Sequence, residues 1–169
     1  MTSHNKARDD ARDDAFAEAG EPEPISDELE ALAGTLIDYS LDLLGETGEL
    51  VPTLAVEDEH GERTLLSFDD EDMEECLDEA RGLLAATARG KRKLEGLRGR
   101  PVRYALAYDG AIDVPDSHRK GFEPALIVEY GEHGMTSGYS AYMLYENAGK
   151  PQEFAWTDPA AAGEGELLV

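Results

Sequence analysis

The sequence is short of cysteine, of cations and of long apolar runs. Cys76 is its single thiol, which excludes an internal disulfide framework and a Cys-rich zinc site. Lysine and arginine together number 15 against 38 acids, a formal charge of −23. Nucleic acids and anionic membranes are recognised through clustered cations, so neither is expected as a partner. No stretch approaches the ~20 apolar residues of a membrane-spanning helix. Residues 1–14, MTSHNKARDDARDD, lack the apolar core of a secretory leader. Isoleucine occurs only 4 times and asparagine 2 times, against 22 alanines. A GC-rich coding bias gives that composition, and a salt-adapted source gives the same acidity. What is there is 169 residues, suited to one domain that buries roughly two thirds of its unfolded surface. The cytoplasm is its expected compartment.

Residues 1–24 read as a flexible acidic tail, with Ala-Arg-Asp-Asp twice and then Gly20-Glu21-Pro22-Glu23-Pro24; so few apolar side chains do not repay the entropy of ordering. The folded unit is expected over 25–157, and 158–169 as a loosely attached tail. Ser26 is a good N-cap with Asp27 and Glu28 behind it. Leu29, Leu32, Leu36, Ile37, Leu43 and Leu44 then keep helical spacing, and Gly45 and Gly48 supply the stop. A hairpin follows, 50–56 and 64–68, turning at Glu59-His60-Gly61. A second helix starts at Asp69 or Asp70. Its apolar stripe is Met73, Cys76, Leu77, Ala80, Leu83, Leu84 and Thr87, and Gly90 ends it. Residues 91–100, KRKLEGLRGR, are a basic connector. Strands are expected at 102–108, closed by the turn signal Asp109-Gly110, at 124–130 and at 139–145, with Phe154 and Trp156 in a short further piece. The class is α+β: a five-stranded, mostly antiparallel sheet with two principal helices on one face, in the order α-β-β-α-β-β-β.

That order, over 26–146, resembles the roadblock and profilin-like modules, and is similar to acidic secretion chaperones of this size. The stretches LAYDGAIDV, EPALIVEYGEHG and SAYMLYE resemble small bacterial α+β proteins without an assigned activity. The first two resemblances imply a dimerising or chaperone-like role; the third implies no catalytic residue.

Charge is laid out in blocks. Residues 57–79 hold twelve acids and one base, Arg63, whereas 81–103 hold eight bases and one acid, Glu95. Three readings stand for this layout: solvation with dipole complementation, a docking surface for a basic partner, and an anion site in the connector around Lys91, Arg92, Lys93, Arg98 and Arg100. The connector is no P-loop, because the Gly-x-x-x-x-Gly-Lys-Ser/Thr order is missing.

Nine of the twelve aromatics lie after residue 103. Alternation puts Tyr104, Leu106 and Tyr108 on one face and Ala105 and Ala107 on the other. The alanine face admits a close helix. The tyrosine face needs its own cover: the 109–124 loop, a second subunit, or a small ligand. The ligand or interface candidates are Tyr104, Tyr108, Phe122, Tyr142 and Tyr145, with Tyr142 and Tyr145 on opposite faces. A dimer contact should avoid the acidic residues 57–79.

Catalytic patterns are incomplete. Ser117-His118-Arg119-Lys120 fits Ser-x-x-Lys without its companion motifs. Glu132-His133 lacks the first histidine of a zinc-protease helix. Asp109, Asp113, Asp116, His118 and Glu123 lack the spacing of a calcium loop. Cys76 belongs to the apolar stripe and is expected to be inert. The expectation is therefore a non-enzymatic interaction or accessory module, without metal or cofactor, with a protein partner of basic surface and a homodimeric state. The alternative is a small-ligand module using a tyrosine-lined pocket.

Overall fold

Apolar residues fall on both sides of the central strands, so the sheet must be covered twice, and the described residues supply one helix for each face. The computed structural model describes residues 21–114 and 122–169; the first twenty residues of the tail expected over 1–24 and the middle of the 109–124 loop lie outside the described residues. Helix α1 (Asp27–Thr47) begins at Ser26, whose Oγ accepts from the Leu29 N–H at 3.1 Å, and stops at Gly48, whose φ of 78° lets its N–H reach the Leu44 carbonyl. Strands β1 (Thr53–Asp58) and β2 (Arg63–Ser67) form the expected hairpin. Helix α2 (Met73–Ala88) starts a few residues later than the sequence suggests, because Asp72 is the residue whose carboxylate caps the Glu74 N–H.

Strands β3 (Pro101–Asp113) and β4 (Phe122–Glu132) are longer than expected. The Asp109-Gly110 turn signal is overridden. Both residues pair in the ladder with Leu126 and Ala125, and Gly110 gives room to Ile127, whose Cδ1 would lie 2.6 Å from a Cβ there. Strand β5 (Gly138–Glu146) follows. Two short strands then share its outer edge, β6 (Ala155–Trp156) and β7 (Ala160–Gly165). Among the described residues the sheet thus has seven strands in place of the expected five, ordered β2-β1-β3-β4-β5-β6 with β7 also on β5, and every pairing is antiparallel. The C-terminal segment is correspondingly part of the fold. Gly138 to Tyr142 pair with it, and Leu167, Leu168 and Val169 pack on the core. The sequence hides this strand because AAAGEG has none of the β-branched residues that mark strands.

The helices lie on opposite faces, which corrects the expectation of one. Leu32, Leu36 and Leu44 of α1 pack on Ala55, Ala105, Ala107, Leu126, Val128 and Met143. Cys76, Leu77, Ala80 and Leu84 of α2 pack on Leu54, Val56, Tyr104 and Leu106. All six residues of β1 are buried as a result. Leu84 takes the central place on α2, whereas Leu83 sits at the margin and Met73 is exposed. Each fully buried leucine contributes about 1.5–3 kcal/mol of transfer free energy. Among the described residues no helix is long and apolar enough to cross a membrane.

Candidate functional site

The features that could recognise something gather around α2: an acidic start, a cleft along its flank and a basic hollow at its end. The start carries Asp69, Asp70, Glu71, Asp72, Glu74, Glu75, Asp78 and Glu79, all exposed. Two of them are engaged, Asp72 as the N-cap and Asp78 at 3.9 Å from Arg81. Their negative field is otherwise turned to solvent. Cys76 lies on the opposite, buried side of the same turns, as its place on the apolar stripe implies, and its Sγ accepts from the Asp70 N–H at 3.3 Å.

The flank of α2 meets the sheet through an ion pair. Arg81 Nε donates to Glu129 Oε1 at 3.0 Å, its Nη2 bonds Glu129 Oε2, and the Tyr108 hydroxyl donates to the same Oε2 at 2.8 Å. Burial first, and then the Glu129 charge, push the Tyr108 hydroxyl pKa well up. Beside this cluster opens a cleft of about 520 Å³. Arg81, Gly82, Ala85 and Arg89 form its helix wall, Ser140 and Tyr139 its sheet wall, and Glu164, Glu166 and Leu168 its C-terminal wall. Tyr104 closes the bottom. Its ring fills a hollow left by two glycines: a Cβ on Gly138 would stand 2.6 Å from the Tyr104 hydroxyl, and one on Gly131 would stand 2.9 Å from its Cε1.

The five aromatic candidates do not form one pocket. Tyr104 and Tyr108 lie on the α2 face, and Tyr142 joins that face opposite Ile127. Tyr145 lies in the α1 core, with its hydroxyl donating to Asp109 Oδ1 at 2.6 Å. Phe122 is 66% exposed at the far end of β4. On the tyrosine face α2 and the Leu167–Val169 segment cover Tyr104 and Leu106 and pack against Tyr108, whereas Ile127 and Tyr142 farther along it stay half-buried. Only Tyr104, of these five, lines the cleft.

The basic candidates are held closer together. Arg92, Lys93, Arg98 and Arg100, joined by Arg89, line an open hollow of about 640 Å³; Lys91 is not among its walls. The connector owes its shape to Asp58. Its Oδ1 accepts from the His60 and Glu62 amides at 2.8 and 2.9 Å, and its Oδ2 from the Arg98 and Gly99 amides at 2.7 and 2.8 Å. Burial raises the Asp58 pKa, but the four amides outweigh it and bring the carboxyl down to about 2. Glu59 adds a bond to the Arg100 amide at 2.9 Å. Block-wise charge counting misses Asp58, although an Asp two residues before a His-Gly turn is the usual signal of an Asx turn.

The same counting misses a ladder of alternating sign on the α1 face. Arg63, Glu57, Arg103 and Glu132 stand side by side on β2, β1, β3 and β4. Glu57 bonds Arg63 at 2.6 Å and Arg103 at 2.7 Å, and Arg103 bonds Glu132 at 3.2 Å. Glu132 also accepts from the Ser26 amide and hydroxyl, tying the start of α1 to the sheet. Glu23, expected within the tail, accepts from the Thr136 and Ser137 amides and from the Tyr139 hydroxyl.

Of the candidate loop ligands, Asp116 and His118 lie outside the described residues, as does the Ser117–Lys120 match. Among the described residues no three His, Cys, Asp or Glu side chains converge as metal ligands. No family model, no curated protein and no solved structure matches the chain.

Proposed function

We propose that the chain is a non-enzymatic interaction module of the cytoplasm that docks a protein partner of basic surface on the acidic start of α2. The observation that carries this reading is the block of eight exposed acids at 69–79, four leading into α2 and four on its first two turns, left largely unpaired. Such a field accelerates encounter with a complementary surface and excludes like-charged ones. The interior carboxylates support the non-enzymatic part. Asp58 is held by four amides, Glu57 by two arginines, and Glu129 by Arg81 and Tyr108, so each is already committed to the fold.

The test is a photo-crosslinking residue placed at Glu75, with a control at Asp42 on α1, in the cells that make the protein. The expected result is one basic protein captured from position 75 and not from 42. Equal capture from both positions, or none from 75, overturns the reading.

A second reading, a small-ligand module, is favoured by the cleft beside Glu129, where cations from α2 face acids from the C-terminal segment across about 520 Å³. That arrangement suits a compact zwitterion. Homodimerisation has a different support from the one the sequence suggests. Among the described residues the outer edge of β2 has no strand partner, Leu65 on it is 49% exposed, and an apolar groove of about 240 Å³ runs between it and Tyr39 of α1. This edge falls within the 57–79 stretch, yet β2 carries one charge, Arg63, already paired with Glu57.

A further inference from the structure

In a chain with a formal charge of −23, cations are expected to be neutralised by nearby acids, and on most of this fold they are. Arg63, Arg81 and Arg103 are all paired. The connector is the main exception, beside the single exposed Lys150 between β5 and β6. Among the described residues, Arg89, Lys91, Arg92, Lys93 and Arg100 form no ion pair, and Arg98 forms an exposed one with Glu62 at 3.1 Å. Four of the unpaired five, together with Arg98, wall a single concavity of about 640 Å³. Cations held close to one another without counter-charge repel, and a folded chain tolerates that only at a cost.

The floor of this hollow is rigid. Leu94 is buried in the α2 core, the Arg98 and Gly99 amides are fixed on Asp58, and the Arg100 amide is fixed on Glu59. Three acids of the adjoining hairpin are therefore in use, Asp58 and Glu59 on backbone amides and Glu62 on Arg98, and Glu95, the one acid within the connector, is exposed and is not among the walls of the hollow. A fixed backbone lowers the ordering cost of closing these exposed cationic side chains on an anion. The volume lies in the range of small-molecule sites. No aromatic side chain lines it, so nothing there stacks a nucleobase. An extended polyanion such as DNA would reach beyond the hollow onto the acidic surface, whereas a compact ligand stays within roughly one screening length, about 8 Å at physiological salt, of the cations alone.

We propose that the hollow at the C-terminal end of α2, walled by Arg89, Arg92, Lys93, Arg98 and Arg100, binds a small molecule that carries several linked phosphate groups. The site is separate from the acidic start of α2 and stands whether or not that surface docks a protein. Guanidinium pairs on adjacent phosphates give bidentate contacts that one isolated anion cannot fill.

The experiment is isothermal titration of the full chain at about 0.15 M salt with inorganic tripolyphosphate, with orthophosphate, and with a polyglutamate peptide. The variants are R92Q/K93Q/R100Q in the hollow and K91Q beside it. Tripolyphosphate is expected to bind in the micromolar range, with orthophosphate weaker by roughly tenfold or more. The triple variant is expected to lose roughly tenfold or more in affinity while keeping its circular dichroism and melting temperature, and K91Q is expected to bind as wild type. An unchanged affinity in the triple variant, an equal loss in K91Q, or no heat with tripolyphosphate overturns the proposal. Tighter binding of polyglutamate than of tripolyphosphate also overturns it, and assigns the hollow to an acidic protein segment. Should the triple variant fail to fold, the single variants R92Q and R100Q carry the same comparison with K91Q.

Discussion

Replacing Asp58 by asparagine exchanges one carboxylate oxygen for an amide nitrogen at a point where four backbone N–H groups converge. Whichever way the new amide turns, its NH₂ group faces two donors. If it turns toward the connector, the Arg98 and Gly99 amides lose their acceptor; if toward the hairpin, the His60 and Glu62 amides do. Each buried donor left unsatisfied costs about 1–3 kcal/mol, and the surviving pair loses its charge assistance. The connector lies at the surface and water can reach the freed amides on that side, which lowers the sum. The expected loss is about 2–4 kcal/mol in a urea titration at neutral pH. Hydrogen exchange should accelerate at Arg98 and Gly99 while the β1–β2 turn keeps its protection, because the connector is the easier side to hydrate.

The pH dependence gives an independent check. The folded Asp58 carboxyl titrates at about 2, below the ordinary value of 3.8, so the folded state prefers the charged form. Its contribution is present in full above the unfolded value and is lost as pH falls through the folded one. Wild type should therefore lose stability between about pH 4 and 2, and the asparagine variant should lack that part of the slope. A D58N chain within about 0.5 kcal/mol of wild type, or one with an unchanged acid limb, would refute the reasoning.

Other substitutions probe the remaining joints. Glu57→Ala leaves Arg63 without its partner and Arg103 with Glu132 alone, and should cost about 2–3 kcal/mol by denaturant titration; a loss below about 1 kcal/mol would put the ladder among the weak surface pairs. Gly138→Ala drives a Cβ to 2.6 Å from the Tyr104 hydroxyl and 2.7 Å from the Glu166 carbonyl, so it should cost about 1–3 kcal/mol and loosen the C-terminal segment, seen as earlier proteolysis after Gly165. Leu65→Lys on the open edge of β2 should abolish any dimer detected by light scattering coupled to size exclusion, and a wild-type chain that stays monomeric at high concentration removes the dimer altogether.

The parts of the fold legible in the sequence are those whose signal is local. Ser26 followed by acids and a leucine stripe marks α1, and Glu59-His60-Gly61 marks the hairpin, because capping and turn chemistry act within a few residues. The faces of Tyr104 and Ala105 follow from alternation, and the register confirms them. What alternation does not give is which helix covers which face. Nor does it show that AAAGEG is a strand, because its pairing with β5 rests on backbone bonds and not on its side chains. Asp109-Gly110 fails for a related reason. The dipeptide permits a tight turn, but nine further ladder pairs with β4 outcompete it, and glycine there makes room for Ile127 instead.

The charge blocks divide in the structure along a line the sequence does not draw. Glu57, Asp58 and Arg103 belong by position to the acidic and basic stretches, yet all three are consumed inside the fold as ladder rungs or as an amide clamp. The acids of 69–79 and the cations around the connector are what is left over, and they stand at the two ends of one helix. Helix dipole complementation accounts for acids in the first turn of α2. It does not account for the cations beyond Gly90, which are on a connector whose course is set by Asp58 and not by the helix. The clamp and the hollow are thus one device: the carboxylate that stabilises the connector from beneath is also what holds the cations in a concave arrangement above. Loss of Asp58 should therefore weaken anion binding together with stability, whereas loss of Arg92 or Arg100 should weaken binding alone.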